Sequence, residues 1–461
     1  MDDPHDEAED INLIVTVPFG RSGSVLVQSL FDSHPNVLTL PYFGPLYARI
    51  PAVVPDLNQQ IDWFIRNYSG VFDTSLGYFG DVGHGVAGKF GPRGDEDLIV
   101  DANAFRNIFI SLIKSTNGKA ISRKQFFLYL HIAYGLCVRK FIVSDIKYIF
   151  VHPHWLDQDD DLKALLADFP ELYLIAMTRD PRQDWSSTRR LQALLMATDV
   201  SKVKIISLLI KINEWSNSTY GLSKLVGRLN PSHVRVVDLE KLHVRGEAGV
   251  RALSDWLGLE FTTSLLESSF NGRQWAGNAT SQNKLSSLNP KIIRDAWRSD
   301  LPEVQVECIE VMLPGTLQYL GYHKEGTALR VEEVKSRFKY RNILVLLYHC
   351  FLHGAKNPLA AFFRLLRQTV SRLRHARPAA GSSKEPQPMR RLPAAGGGFA
   401  IVASDAKKVL RKTGVLVQVG VRSVGLARRF YGKRLDSTLD EMAGQQRRLL
   451  ETRLPANVLM D

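Results

Sequence analysis

The chain has 461 residues, enough for two ordinary domains or one large domain with an appendage, and its 45% hydrophobic and 23% charged residues allow a sizeable core. Its three cysteines, Cys137, Cys308 and Cys350, are widely spaced and odd in number, which argues against a disulfide framework and a zinc site. The net charge of +12 is unevenly placed: residues 327–461 hold 26 Lys and Arg against 9 Asp and Glu, and the remainder holds 33 against 38, so the basicity belongs to the tail and not to the main domain.

The first ten residues are acidic (Asp2, Asp3, Asp6, Glu7, Glu9, Asp10) and lack the basic start and apolar run of a secretory signal. No stretch reaches the ~20 apolar residues that span a bilayer. The expectation is a cytoplasmic chain in a reducing compartment, with peripheral attachment at the inner face of the membrane left open by the basic tail.

Residues 11–17 are apolar and read as a strand, followed by the loop Val17-Pro18-Phe19-Gly20-Arg21-Ser22-Gly23-Ser24-Val25 and a helix over 24–33. Strand, glycine-bearing loop and helix aim several backbone N–H groups and a helix N-terminus at one place, which is an anion site. Arg21 adds a forked cation suited to phosphate or sulfate. His34-Pro35 ends the helix, and residues 37–40 begin a second extended segment. Residues 41–100 are rich in Gly, Pro and aromatics and read as long loops with short helices.

Helices follow over 103–115 and 122–140, the second with Ser122 as N-cap and an apolar face of Phe126, Phe127, Leu130, Tyr134 and Cys137. Residues 141–143 read as a short strand leading into Ser144-Asp145-Ile146-Lys147, and 161–168 as a helix. The continuous apolar run 171–178 suits a parallel strand covered on both faces. It stops at Arg179-Asp180-Pro181-Arg182, where Asp180 caps a helix running toward Met196. A helix over 202–229, a strand over 233–237 and a helix over 247–257 closed by Gly258 complete the alternation. The pattern predicts an α/β fold with a mostly parallel sheet flanked by helices.

The segments expected are an acidic disordered N-terminus (1–10), a main domain (11–325), a basic amphipathic helical extension (326–375), a flexible linker (376–398) and a basic helical tail (399–461). Two readings stand for residues 326–461: solvated basic helices, or attachment to an anionic membrane through basic faces beside Leu and Phe. Nucleic acid is disfavoured, because the aromatics lie among aliphatics and not between the basic residues as stacking platforms.

A second anion signal stands on the same sheet: Arg179 at a strand end, with Ser187 two turns into the next helix. Taken alone, Arg179 also reads as a structural ion-pair partner. The two motifs together resemble the sulfotransferases that use 3′-phosphoadenosine-5′-phosphosulfate (PAPS), in their bacterial and carbohydrate-type branch. The residues that carry the resemblance are Arg21-Ser22-Gly23-Ser24 with His34-Pro35, then Arg179-Asp180-Pro181-Arg182 with Ser187, and the later stretch from Phe270 to Asn278. It covers roughly residues 10–325.

The resemblance implies a P-loop NTPase-like fold and transfer of a sulfuryl group from PAPS to a hydroxyl, that of a carbohydrate or glycolipid first among acceptors, without a metal. By position, Arg21, Ser22, Gly23, Ser24 and Val25 would bind the 5′-phosphosulfate, Arg179 and Ser187 the 3′-phosphate, and Gly272 and Arg273 would wall that phosphate. Lys147 matches a lysine that relatives place to stabilise the bridging oxygen, and reads equally as a surface lysine at a strand end. The glutamate that several relatives carry after the His-Pro pair, as general base, has no counterpart here. Asp81, His84, His152 and His154 stand as candidates with none preferred. Two other functions remain: a non-catalytic relative that binds nucleotide or membrane, and an ATP-dependent P-loop kinase, which lacks its lysine where Ser24 stands.

Overall fold

The computed structural model describes residues 10–41, 46–76, 90–114, 120–153, 159–195, 205–275, 277, 287–289, 296–322, 444–446, 448, 449 and 452. The apolar run near the N-terminus becomes β1 (Asn12–Pro18), whose side chains alternate between two cores. Leu13, Val15 and Val17 face one core, and Ile14 faces the other, against Val27, Leu30 and Phe31 of α1 (Ser24–Phe31). A central parallel strand must be apolar on both faces, and this one is.

Four further strands complete a parallel sheet: β2 (Val37–Thr39), β3 (Tyr148–Val151), β4 (Tyr173–Thr178) and β5 (Val234–Asp238), in the order β2-β3-β1-β4-β5. In register, Asn12 pairs with Tyr148, Pro18 with Met177 and Thr178 with Asp238. The ends of β1, β4 and β5 therefore lie side by side at one edge. The chain runs from β1 outward to β2, back to β3, and then past β1 to β4, so the change of direction falls beside β1. Ligands of open α/β sheets bind at such a crevice. This is the P-loop-like α/β architecture that the sequence predicts.

Helices cover both faces: α2 (Leu57–Asn67), α3 (Ala102–Lys114), α4 (Arg123–Val138), α5 (Asp159–Asp168), α6 (Pro181–Leu195), α7 (Ile205–Val226), α8 (Leu239–Arg245) and α9 (Glu247–Trp256). Ser122 caps α4 in a capping box: its Oγ accepts from Gln125 N at 3.2 Å, and Gln125 Oε1 accepts from Ser122 N at 3.0 Å. The helix is buried on more than the expected face, since Leu128, Tyr129, Ile132 and Ala133 are also inside.

One strand lies elsewhere than expected. Residues 141 and 142 are irregular, and Val143–Asp145 makes a single 3-10 turn before β3 begins at Tyr148. Ile142 is 65% exposed, whereas all four residues of β3 are buried. Burial on both faces, and not the local apolar triplet, decides where a central strand forms.

The chain groups into two units, one of Met1–Val203, Ser207–Val334 and Gln445–Asp461, the other of Lys204–Ile206 and Lys335–Gly444. The expected tail 399–461 is therefore not one piece. Gln446 is fully buried in the first unit, with its Oε1 accepting from Thr316 N at 2.9 Å, and Leu449 joins the main core. The acidic N-terminus through Glu9, the extension 326–375 and the linker 376–398 lie outside the described residues.

Candidate active site

The loop after β1 is shaped by four contacts at its base. Phe19 N donates to Met177 O at 3.1 Å, carrying the β1–β4 ladder one residue past the strand. The same N–H meets Ser22 Oγ at 3.1 Å, and Ser22 is fully buried, so its hydroxyl faces inward and shapes the turn. Gly20 and Gly23 have φ of +65° and +79°. A Cβ at Gly20 would overlap the Asp184 carboxylate, and one at Gly23 would overlap Leu239 Cδ1. Both positions require glycine on conformation and on space.

Gly23 is the N-cap of α1 and offers no side-chain cap. The first N–H groups of that helix consequently have no partner from within it, and they open at the carboxyl edge of the sheet. Ser24 is buried. Val25 packs on a small cluster of Phe90, Leu98, Phe270 and Trp275.

Arg21, Arg179 and Ser187 come together. Arg21 Nε donates to Ser187 Oγ at 3.1 Å, and Arg179 Nη1 donates to Arg21 O at 3.1 Å. Arg179 Nε also holds Glu240 Oε1 at 2.7 Å. Glu240 is buried at the start of α8, directly after β5. Burial raises its pKa, and the opposing pull of Arg179 does not cancel that rise. Beside them, burial and then the charge of Arg179 lower His243 to about 4, and its Nδ1 accepts from Asn289 N at 2.9 Å, as an unprotonated nitrogen should.

Asp184 lies under the loop on the first turn of α6, completely buried. Its Oδ1 accepts from Arg21 N at 2.8 Å and its Oδ2 from Trp215 Nε1 at 2.8 Å. Lys211, one turn before Trp215 on α7, pairs with Glu214 at 2.8 Å. Burial pulls the pKa of Lys211 down, but the Asp184 and Glu214 carboxylates outweigh it and raise it, with Arg21 opposing.

Other expected residues lie apart. Lys147 precedes β3 at the amino edge of the sheet, where its main-chain oxygen accepts from Asn12 N and its Nζ donates to Gly258 O at 3.3 Å. The loop begins at the opposite end of β1, one strand length or ~20 Å away. Lys147 therefore does not reach the anion loop. The expected strand, 141–143, precedes this lysine, whereas β3 follows it, and that reverses the edge of the sheet on which Lys147 lies.

Gly272 and Arg273 are turned to other partners. The N–H groups of Asn271 and Gly272 both donate to the Asp32 carboxylate, at 3.0 and 2.9 Å, and Arg273 Nη1 meets Glu96 Oε2 at 3.3 Å. Asp32 follows the last turn of α1, whereas the loop stands at its first. The link between this hairpin and the loop is the packing of Val25 on Phe270 and Trp275.

Of the four candidate bases, His152 is fully buried just past the carboxyl end of β3, the correct edge of the sheet. Asp81, His84 and His154 lie outside the described residues. Among the described residues no group of three or more His, Cys, Asp and Glu is arranged to hold a metal ion, and no helix is long and apolar enough to cross a membrane.

Sequence reasoning missed Asp184, Glu240, Trp215 and Lys211. Asp184 carried one signal: it stands three residues before Ser187, on the same face of the helix. Glu240 follows β5 as Arg179 follows β4, and only the pairing of those strands brings them together.

The family model described as "Sulfotransferase family" matches residues 14–263. Among solved structures, the chain is similar to the sulfotransferase domain from the curacin biosynthetic pathway, at 14% identity over 66% of this chain and 98% of that one, with a TM-score of 0.38. The sulfotransferase domain of the Synechococcus PCC 7002 olefin synthase matches at 15% identity over 65% and 94%, with a TM-score of 0.39. A sulfotransferase from Mycobacterium tuberculosis H37Rv matches at 13% identity over 57% and 71%, with a TM-score of 0.31. A search of curated proteins finds no match.

Proposed function

The chain belongs to the sulfotransferase family, and from that premise we propose that it moves a sulfuryl group from PAPS to a hydroxyl of an acceptor, a carbohydrate or a glycolipid. The observation that carries the donor assignment is the convergence of Arg21, Arg179 and Ser187 on one glycine loop, through contacts of 3.1 Å. Two guanidinium groups, a hydroxyl and a helix N-terminus without a side-chain cap fit a ligand with separate anionic ends. The donor supplies an activated sulfur–oxygen bond to a phosphate leaving group.

In the transfer, a bond forms between the acceptor oxygen and sulfur as the bond from sulfur to the bridging oxygen breaks. The electron pair stays on the leaving phosphate, and the acceptor proton passes to a base. Fixed donors aimed at that developing charge are the main source of acceleration. Arg21 is our candidate for this role, supported by the contacts that hold both its main chain and its side chain. His152, at the same edge of the sheet, is our candidate base among the described residues. The acceptor class follows from the carbohydrate-type motif resemblance.

Calorimetric binding of adenosine 3′,5′-bisphosphate, with transfer of labelled sulfate from PAPS to a panel of glycans and glycolipids, tests the proposal. A hundredfold excess of ligand over Kd should stabilise the protein by about 2.7 kcal/mol. Absence of bisphosphate binding, or magnesium-dependent ATP turnover, would overturn it.

For the basic segment we propose attachment to an anionic membrane surface, supported by the surplus of Lys and Arg over residues 327–461. Co-sedimentation with phosphatidylserine vesicles that weakens with salt is the expected result, and equal recovery with neutral vesicles would reject it.

A further inference from the structure

Arg21 is held at three points by its neighbours in the fold. Its main-chain oxygen accepts from Arg179, its Nε donates to Ser187, and its main-chain N–H donates to Asp184 at 2.8 Å. The third contact is unexpected in an anion-binding loop. A main-chain N–H that could serve the ligand is given instead to a buried carboxylate, whose negative charge lies behind the loop.

Burying a carboxylate is costly unless its oxygens are hydrogen-bonded and its charge is balanced. Both conditions are met. Trp215 Nε1 donates to Asp184 Oδ2 at 2.8 Å, and Thr188 Oγ1 approaches Oδ1 at 3.5 Å. Lys211, on the same face of α7 one turn before Trp215, supplies the nearby cation. Gly20 completes the fit, since any Cβ there would displace the carboxylate. Asp184 thus touches the loop, α6 and α7 at once, and a peptide plane bonded to it has one orientation.

We propose that Asp184 is a positioning residue that fixes the peptide plane preceding Arg21, with Trp215 as its brace, so that α7 belongs to the active site without touching the donor. The proposal concerns the same site as the PAPS assignment and rests on that assignment only for its ligand measurement.

The test uses the full chain carrying Asp184→Asn, Trp215→Phe and both. Asparagine keeps the size but offers one acceptor to two N–H donors, and phenylalanine removes a single donor. Amide exchange of the peptide covering residues 19–25 is measured first, without ligand. Asp184→Asn should speed exchange there about tenfold while the β1 and β4 amides keep their protection. Affinity for adenosine 3′,5′-bisphosphate should then fall about tenfold in Asp184→Asn and about threefold in Trp215→Phe. The double variant should be no weaker than Asp184→Asn, because Trp215 acts through Asp184.

Unchanged loop exchange in a folded Asp184→Asn protein, or strictly additive losses in affinity, would overturn the proposal. If Asp184→Asn does not fold, Trp215→Phe decides on loop exchange alone: faster exchange upholds the brace and unchanged exchange rejects it. A wild-type protein that does not bind the bisphosphate would remove the donor assignment, and the exchange data would still decide the positioning role.

Discussion

Arg179 reaches from the end of β4 and donates through Nη1 to the main-chain oxygen of Arg21, 3.1 Å away, while its Nε holds Glu240 at 2.7 Å. One guanidinium therefore ties three strand ends together: the loop after β1, its own strand, and the start of α8 after β5. Glu240 occupies one edge of the guanidinium and so fixes the direction of the other.

Replacing Arg179 with alanine removes a charge-assisted contact to the loop and leaves Glu240 buried without its cation. Charge-assisted bonds contribute about 1.5–3 kcal/mol, and bisphosphate affinity should fall on the order of 10–100-fold. Lysine at the same position keeps the charge but not the two-sided fork, so its loss should be intermediate. Calorimetric titration measures both. Wild-type affinity in Arg179→Ala would remove this residue from the site.

Gly20 and Gly23 both have positive φ, yet the two should not respond alike. The backbone strain of an alanine there is about 1–2 kcal/mol. At Gly20 the new methyl also meets the Asp184 carboxylate, which is held from two sides, whereas at Gly23 it meets only the end of Leu239. Urea denaturation should rank Gly20→Ala as the more damaging change. The reverse order would mean that Asp184 is free to move.

Much of this arrangement is legible in the sequence, because continuous apolar runs mark β1 and β4 and short motifs mark the residues that follow them. The rest depends on tertiary burial. Residues 141–143 have the composition of a strand, but Ile142 is exposed and Phe141 and Val143 only half-buried; the strand forms after Lys147, which puts this lysine at the amino edge of the sheet. Asp184 and Arg21 are 163 positions apart, and Trp215 meets Asp184 from a third element, so no local pattern announces them. Lys147→Met is the direct check: transfer should stay within about twofold of wild type, since the residue lies ~20 Å from the loop. A large loss of turnover would restore the sequence-based role.

Two buried histidines predict loss of stability in acid. Burial lowers both His131 and His243 from 6.5 to about 4. Between these values the unfolded chain binds protons that the folded protein refuses, so the stability present above pH 6.5 is lost as the pH falls toward 4. The loss is on the order of 2–3 kcal/mol for each histidine. Urea midpoints at about pH 7.5 and about pH 5 should differ accordingly. His243→Asn keeps an acceptor for Asn289 N but cannot be protonated, so it should narrow the gap. A gap of unchanged size would clear His243 as a source.

The return of the chain at its C-terminal end should matter more than its place in a basic tail suggests. Gln446 Oε1 accepts from Thr316 N at 2.9 Å, and its Nε2 donates to Ser216 Oγ at 3.0 Å and Thr316 Oγ1 at 3.1 Å. Its main-chain oxygen lies where a Cβ on Gly315 would be, and Gln445 bonds Ser216 and Asn217. Gln446→Ala strands the buried Thr316 N–H and takes one donor from the Ser216 and Thr316 hydroxyls, a cost of about 1–3 kcal/mol. Leu449→Ala should cost about 2–5 kcal/mol, because Leu449 is wholly inside the main core. A chain ending at residue 444 loses both and should be the least stable of the series in equilibrium unfolding. Ser216 adjoins Trp215, the brace of Asp184, so the truncated chain should also bind the bisphosphate more weakly than its stability alone explains. Full stability and affinity in that chain would mean that residues 445–461 contribute nothing to the fold that holds the loop.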